Sequence, residues 1–147
     1  MLKKIENKLK FLDLLLLADE NFEMIKRYID KGTMYIFEEN EIIGECVVLE
    51  KNSEILEIKN LAVYPNFQNQ GYGKKIIDAI CKKYLRKYKI LELGTGDSPL
   101  TIPFYLKCGF KYAGRIEKFF IKNYECEIYE CGVKLVDMII LQKNFAD

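Results

Sequence analysis

The chain has 147 residues, half of them hydrophobic and 13% aromatic, which suits one domain with a sizeable core and excludes a disordered chain. Its 23 basic and 22 acidic residues leave a formal charge of +1, so no global field draws it to nucleic acid or to an acidic membrane. The absence of histidine excludes every Ser-His and Cys-His nucleophile scheme, and five scattered cysteines without a C-x-x-C pair argue for reduced thiols rather than a disulfide frame or a zinc site.

Residues 2–10 fit either a first strand or an irregular lead-in. Lys3, Lys4, Lys8 and Lys10 ahead of Leu14 to Ala18 look superficially like a signal peptide, but Asp13 breaks the apolar run and Asp19-Glu20 follow without an A-x-A site. No stretch reaches the length that spans a bilayer, so the expectation is a soluble, cytoplasmic protein with no membrane partner. Phe11 to Ala18 predicts one or two buried helical turns. A second helix is expected over 21–31, with Met24, Ile25, Tyr28 and Ile29 on one side and Gly32 as its stop. Residues 11–25 hold Asp13, Asp19, Glu20 and Glu23 and no base. Strands are predicted over 34–38, 42–51 and 54–64, with turns at Glu39-Asn40 and Asn52-Ser53, giving a three-stranded meander.

The last of these strands runs into Leu61-Ala62-Val63-Tyr64-Pro65-Asn66-Phe67-Gln68-Asn69-Gln70-Gly71-Tyr72-Gly73. After Gly73 the apolar residues Ile76, Ile77, Ile80, Cys81, Tyr84, Leu85 and Tyr88 recur at helical spacing. Residues 74–89 carry seven Lys or Arg against one Asp. The first turn of such a helix has N–H groups without partners and the positive end of its dipole, which suits phosphate. Glycines at 71 and 73 would let a phosphate approach those groups, and Lys74 and Lys75 add charge. A Rossmann turn fails because Ile76 stands where its third glycine belongs, and a Walker loop fails because Lys75 follows Lys74.

A strand is predicted over 89–93, then a loop from Gly94 to Pro99, then a helix that ends near Cys108 at Gly109 and begins late because of Pro103. Phe110 to Ile121 and Val133 to Gln142 read as two closing strands joined by residues 123–132. The order is that of an α+β fold with one mixed sheet.

L-A-V-x-P-x-x-Q-x-x-G-x-G before an amphipathic helix resembles the acetyl-CoA motif of the GNAT superfamily of N-acetyltransferases. Phe104-Tyr105-Leu106-Lys107-Cys108-Gly109-Phe110 is similar to the family's second motif, and Gly94-Thr95-Gly96 with Asp137-Met138-Ile139 resembles a subgroup of small bacterial members. The resemblance implies a single GNAT-like domain over 1–147, with a mixed, mostly antiparallel sheet flanked by helices and splayed between its fourth and fifth strands (54–64 and 89–94), where the pantetheine arm enters. It implies transfer of acetyl directly from acetyl-CoA, as cosubstrate and without a metal, to a primary amine of a small molecule or peptide. Glu57 occupies the family's general-base position and would act through water. Tyr105 matches the tyrosine that protonates the departing thiolate. Leu61, Ala62 and Val63 would contribute backbone groups, and Gln68, Asn69, Gln70, Gly71, Tyr72, Gly73 and Lys74 would cradle the pyrophosphate. Where many members carry an asparagine that touches the cofactor, this chain has Asp97, Ser98 and Pro103. Cys108 reads as a small core residue rather than a nucleophile.

Two other readings stand beside this one. The fold could serve as a non-catalytic CoA-binding sensor or interaction module, against which Glu57 and Tyr105 argue. A nucleic-acid binder is disfavoured because the basic helix has no aromatic platform. Acidic segments (Asp13, Asp19, Glu20, Glu23; Glu125, Glu127, Glu130) near the expected acceptor entrance point to a cationic amine. The identity of the acceptor stays open, as does assembly, with a homodimer among the options.

Overall fold

The structure, a computed structural model, describes residues 1–146. Its strands are β1 (Leu2–Ile5), β2 (Thr33–Glu38), β3 (Ile42–Glu50), β4 (Ile55–Val63), β5 (Ile90–Gly96), β6 (Lys111–Ile116), β7 (Tyr129–Glu130), β8 (Val133–Lys134) and β9 (Met138–Asn144). Its helices are α1 (Leu12–Ala18), α2 (Phe22–Lys26), α3 (Tyr72–Tyr84), α4 (Ile102–Lys107) and α5 (Phe119–Asn123). Seven strands form one sheet in the order β1-β2-β3-β4-β5-β9-β6, while β7 and β8 form a small separate hairpin. Every neighbouring pair is antiparallel except β4 and β5, which run parallel. That one parallel pair requires a crossover, and α3 supplies it.

The sheet is covered on both faces. On one, Ile76, Ile77 and Ile80 of α3 are fully buried against Cys46, Leu56, Ile58, Leu91 and Leu93. Each such side chain removed from water contributes about 1.5–3 kcal/mol. On the other, Leu15, Ile25, Tyr28 and Ile29 pack on Met34, Ile36 and Val47. The helical spacing read from Ile76 to Tyr88 holds, except that Leu85 is exposed.

One irregularity positions everything downstream. Val47 pairs with Asn60 but Val48 pairs with Ile58, so Lys59 is an extra residue and β4 bulges there. Before the bulge Leu56 and Ile58 face α3; after it Leu61 and Val63 do, three residues on rather than two. Asn60 is thereby turned towards α1, where its amide donates to Leu15 O at 3.0 Å and Tyr28 Oη at 2.9 Å. The pairing with β5 stops at the same place: it covers only Ile55 to Ile58 against Ile90 to Leu93. Beyond Ile58, β4 and β5 part.

Four expected elements differ. The closing strand expected from Val133 to Gln142 is divided: Val133–Lys134 belong to the small hairpin and only Met138–Asn144 join the main sheet. Residues 94–96, read as a loop, continue β5 and pair with β9 from Gly94↔Ile140 to Gly96↔Met138. The glycines suggest a loop, but here Met138 occupies the space a Cβ on Gly94 would need. The strand expected to run to Ile121 ends at Ile116; Lys118 is left-handed (φ 55) and opens α5, its N–H bonded to Asp137 Oδ1 at 2.8 Å. The helix expected over 21–31 is regular only in α2, with Asn21 Oδ1 accepting Met24 N–H at 3.2 Å as its cap.

Candidate active site

The open edge of β4 leads straight into the glycine turn. A 3-10 turn over Pro65–Phe67 ends the strand, and Gln68 Nε2 donates back to Val63 O at 2.9 Å. Gln70 Nε2 donates to Asn66 O at 3.1 Å. Both side chains expected at a pyrophosphate are thus engaged in closing the loop. Asn69 (φ 61) and Gly71 (φ 85) are left-handed, a conformation that costs an L-residue about 1–2 kcal/mol. Gly71 caps α3, and the first helical hydrogen bond is Lys75 N–H to Gly71 O at 3.1 Å. The N–H groups of Tyr72, Gly73 and Lys74 precede it and point out of the helix N-terminus.

The two glycines differ in purpose. A Cβ on Gly71 would meet nothing within 4 Å, so the space in front of it is free for a ligand. A Cβ on Gly73 would lie 2.7 Å from Phe104 Cζ, so that glycine lets α3 and α4 pack. Among the motif's side chains, Tyr72 Oη donates to Glu39 Oε1 at 3.1 Å, and Lys74 Nζ pairs with Asp78 Oδ2 at 2.9 Å, both groups exposed. Lys75 lies over the Tyr72 ring, 4.8 Å from its centroid.

Leu61 and Val63 pack on the α3 side of the sheet and Ala62 on the other, all three beyond the last β4–β5 pair. Their backbones flank the cleft where the strands part. Glu57 lies on the closed side of that point, opposite Glu92 in register, with Oε2 3.3 Å from Lys59 Nζ and the carboxylate largely shielded.

Tyr105 is half-buried on α4, its ring edge-on to Phe104 (5.0 Å between centroids) and to Phe110 (5.6 Å). Burial pushes its phenol above the ordinary value, and the nearby Cys46, Cys108, Glu45 and Glu130 add to the shift. It therefore holds its proton at any physiological pH. Cys108, three residues on, is buried and its thiol is raised by desolvation, which suits a core residue. Ser98 is buried with Oγ accepting Leu100 N–H at 3.0 Å, and Asp97 lies 3.8 Å from Arg115.

The cleft's other wall was missed by the sequence reading. Glu45 of β3, directly opposite Ala62, is fully buried, and neither carboxyl oxygen has a protein partner. The one sequence signal is a carboxylate between Gly44 and Cys46 in a run otherwise apolar on both faces. Tyr124 Oη donates to Asp19 Oδ1 at 3.0 Å and Arg27 Nη1 donates to Asn123 Oδ1 at 3.0 Å, which tie the end of α5 to the α1–α2 turn and to the end of α2. Among the described residues no helix is long and apolar enough to cross a membrane, and no cluster of His, Cys, Asp and Glu has metal-site geometry.

Residues 30–112 match the family model described as an acetyltransferase (GNAT) domain. The chain is 35% identical over 132 residues to the uncharacterized N-acetyltransferase YvbK of Bacillus subtilis strain 168, covering 88% of this chain and 85% of that one. Among solved structures it resembles a GNAT family acetyltransferase from Elizabethkingia anophelis with acetyl-CoA bound (TM-score 0.90, 37% identity, 98% of this chain and 97% of that one). It also resembles an IAA acetyltransferase from Bacillus cereus ATCC 14579 (TM-score 0.88, 34% identity, 98% of each chain).

Proposed function

This chain belongs to the GNAT acetyltransferases, and from that premise we propose that residues 1–147 act as one N-acetyltransferase domain, moving acetyl from acetyl-CoA directly to a primary amine of a small molecule or peptide. The observation that carries the reading is the edge of β4, which loses its β5 partner after Ile58 and runs into a left-handed, glycine-capped helix N-terminus with free space before it. An extended pantetheine arm can add to such an edge as a further strand would, and a pyrophosphate can accept from the N–H groups of Tyr72, Gly73 and Lys74. The bound relative from E. anophelis supports acetyl-CoA as the ligand. Five free cysteines fit a reducing cytoplasm.

Bound acetyl-CoA supplies the thioester that is cleaved. The chain's own residues are assigned as follows. A backbone N–H of Leu61 to Val63 donates to the acetyl oxygen and stabilises the oxyanion as the amine adds to the carbonyl carbon. Glu57, 3.3 Å from Lys59 Nζ, takes the ammonium proton through water. Tyr105 donates to the departing sulfur. Because burial holds its proton tightly, its role is a hydrogen bond that strengthens as negative charge gathers on sulfur, with transfer completed only as the C–S bond breaks. Gln68, Asn69 and Gln70 shape the loop, and Gly71 leaves the anion room.

The test is calorimetric titration with acetyl-CoA, followed by release of CoA thiol across a panel of amines. Saturable binding with thiol release that depends on the amine is expected. Binding without release would favour the non-catalytic module, and no binding would end both readings.

A further inference from the structure

β4 bulges at Lys59, and a bulge beside a site commonly re-aims a side chain. Leu56 and Ile58 pack on α3, so Glu57 between them faces away from that helix. Lys59 Nζ lies 3.3 Å from Glu57 Oε2 and 5.7 Å from the centroid of the Tyr28 ring, which places it on the same face. Tyr28 is itself fixed, its hydroxyl accepting from Asn60, the next residue of the strand. Among the described residues Lys59 is the least exposed of the ion-paired lysines, its side chain 28% exposed against 42% or more for the others. It is shielded, yet still open to a reactant.

β4 and β5 stop pairing at Ile58↔Leu93, so Lys59 stands where the cleft opens. Leu61, at the start of the backbone assigned to the acetyl oxygen, is two residues on. That is at most about 7 Å along a strand, within the span of a lysine's four-carbon stem. A cofactor held at the N-terminus of α3 comes to β4 from the α3 face, and direct transfer needs the amine to come from the other. Lys59 Nζ is already on that other face, in contact with the carboxylate assigned as base.

We propose that Lys59 is a self-acetylation site: the chain modifies its own Nζ when acetyl-CoA is bound and no outside amine is present. Glu57 takes a proton from the Lys59 ammonium directly, without the intervening water assigned to an outside amine. The freed Nζ lone pair adds to the acetyl carbon, the C–S bond then breaks, and Tyr105 gives its proton to the departing sulfur. Of the ammonium's three protons, one stays on the amide nitrogen, one restores Tyr105 and one reaches solvent through Glu57. The products are N-acetylated Lys59 and CoA thiol. This modification rests on the acetyltransferase reading above and adds a product which that reading does not name.

The experiment needs no outside acceptor. The protein is incubated with acetyl-CoA alone, and acetylation of each lysine is followed by peptide-mapping mass spectrometry, beside a calorimetric acetyl-CoA affinity. Chemical acetylation by a free thioester follows exposure, so Lys26 (50% exposed) and Lys89 (76%) serve as internal references. Lys59 should gain acetyl at least about tenfold faster than either, a small part of what proximity supplies. Its rate per molecule should hold when the protein is diluted at fixed acetyl-CoA, as a reaction within one chain requires. Saturating CoA, and separately Glu57→Gln, should slow Lys59 and leave the references unchanged. If acetyl-CoA binds but Lys59 is acetylated no faster than Lys89, or at a rate that rises with protein concentration or ignores CoA, the self-acetylation site is overturned. The acetyltransferase reading is then still judged by the amine panel. Absence of acetyl-CoA binding ends both, and the calorimetry identifies that case.

Discussion

The segment from β4 to α3 and the opposite wall of the cleft are built on different principles. The first works through backbone: an unpaired strand edge, a bulge at Lys59, a left-handed cap at Gly71 and N–H groups at a helix start. The second works through side chains of β3 and α4 and of the residues that follow α1, α2 and α5, which have no common spacing along the chain. Backbone recognition constrains which residues are tolerated at each successive position, so it leaves a contiguous motif. Side-chain recognition needs only that residues meet in space. If this contrast is right, substitutions in the first region act through geometry, and those in the second through single atoms.

The largest expected effect is at Tyr105, where one atom carries the assigned chemistry. Tyr105→Phe keeps the ring contacts with Phe104 and Phe110 and removes only the hydroxyl. With acetyl transfer rate-limiting, kcat should fall by ~10²–10⁴-fold while calorimetric acetyl-CoA affinity stays level. Equal kcat in parent and variant would mean that Tyr105 merely packs.

Next comes Gly71, where geometry should dominate. Asp can cap a helix, so Gly71→Asp should fold, but it adds a strained left-handed residue and a negative charge in the space before α3. Acetyl-CoA affinity should drop by roughly 10²-fold, about 2–3 kcal/mol, from repulsion and lost space before the helix, while the strain shows as a lower melting temperature. An unchanged dissociation constant would move the phosphate site elsewhere. Gly73→Ala should behave differently, because its Cβ runs into Phe104 rather than into open space. Overpacking of this kind typically costs ~1–3 kcal/mol, read as a lower melting temperature, with a smaller change in cofactor affinity. The reverse pattern at Gly73, intact stability and lost binding, would show that both glycines serve the ligand.

The same contrast explains what the sequence revealed. The meander, the parallel crossover and α3 were legible because period-two and period-3.6 patterns change at Pro65 and Gly71. The splay was expected from resemblance alone; in the structure it follows from where the bulge falls, which no residue type announces. α5 was misread because the anchor that ends β6 is tertiary: Asp137, nineteen residues on, holds the Lys118 N–H and pairs with Arg115 at 2.6 Å. Glu45 was passed over as a strand residue because alternation gives its face but not its partners. The acidic surface segments chosen instead include Glu127, which is engaged locally with Tyr129 and Lys134, and of those acids only Glu130 has a buried orphaned oxygen.

Lys74 offers the smallest effect and the most direct test of the backbone principle. Positive charge beside a pyrophosphate is the usual expectation, and by that account Lys74→Ala should cripple binding. Here Nζ is exposed and already paired with Asp78, so its field at the helix N-terminus is offset by a carboxylate one turn away. An exposed ion pair of this kind adds little to stability and is screened by salt, so the melting temperature should hardly move. The N–H of residue 74 survives in alanine, and alanine is the better helix former. Acetyl-CoA affinity should therefore fall less than about tenfold, and the deficit should shrink as salt rises through a few hundred millimolar. A loss comparable to that of Gly71→Asp, persisting at high salt, would show that Lys74 leaves Asp78 to grip the phosphate directly. Cofactor recognition would then depend on a side chain after all, and the division between the two walls would fail at the point where it was most legible.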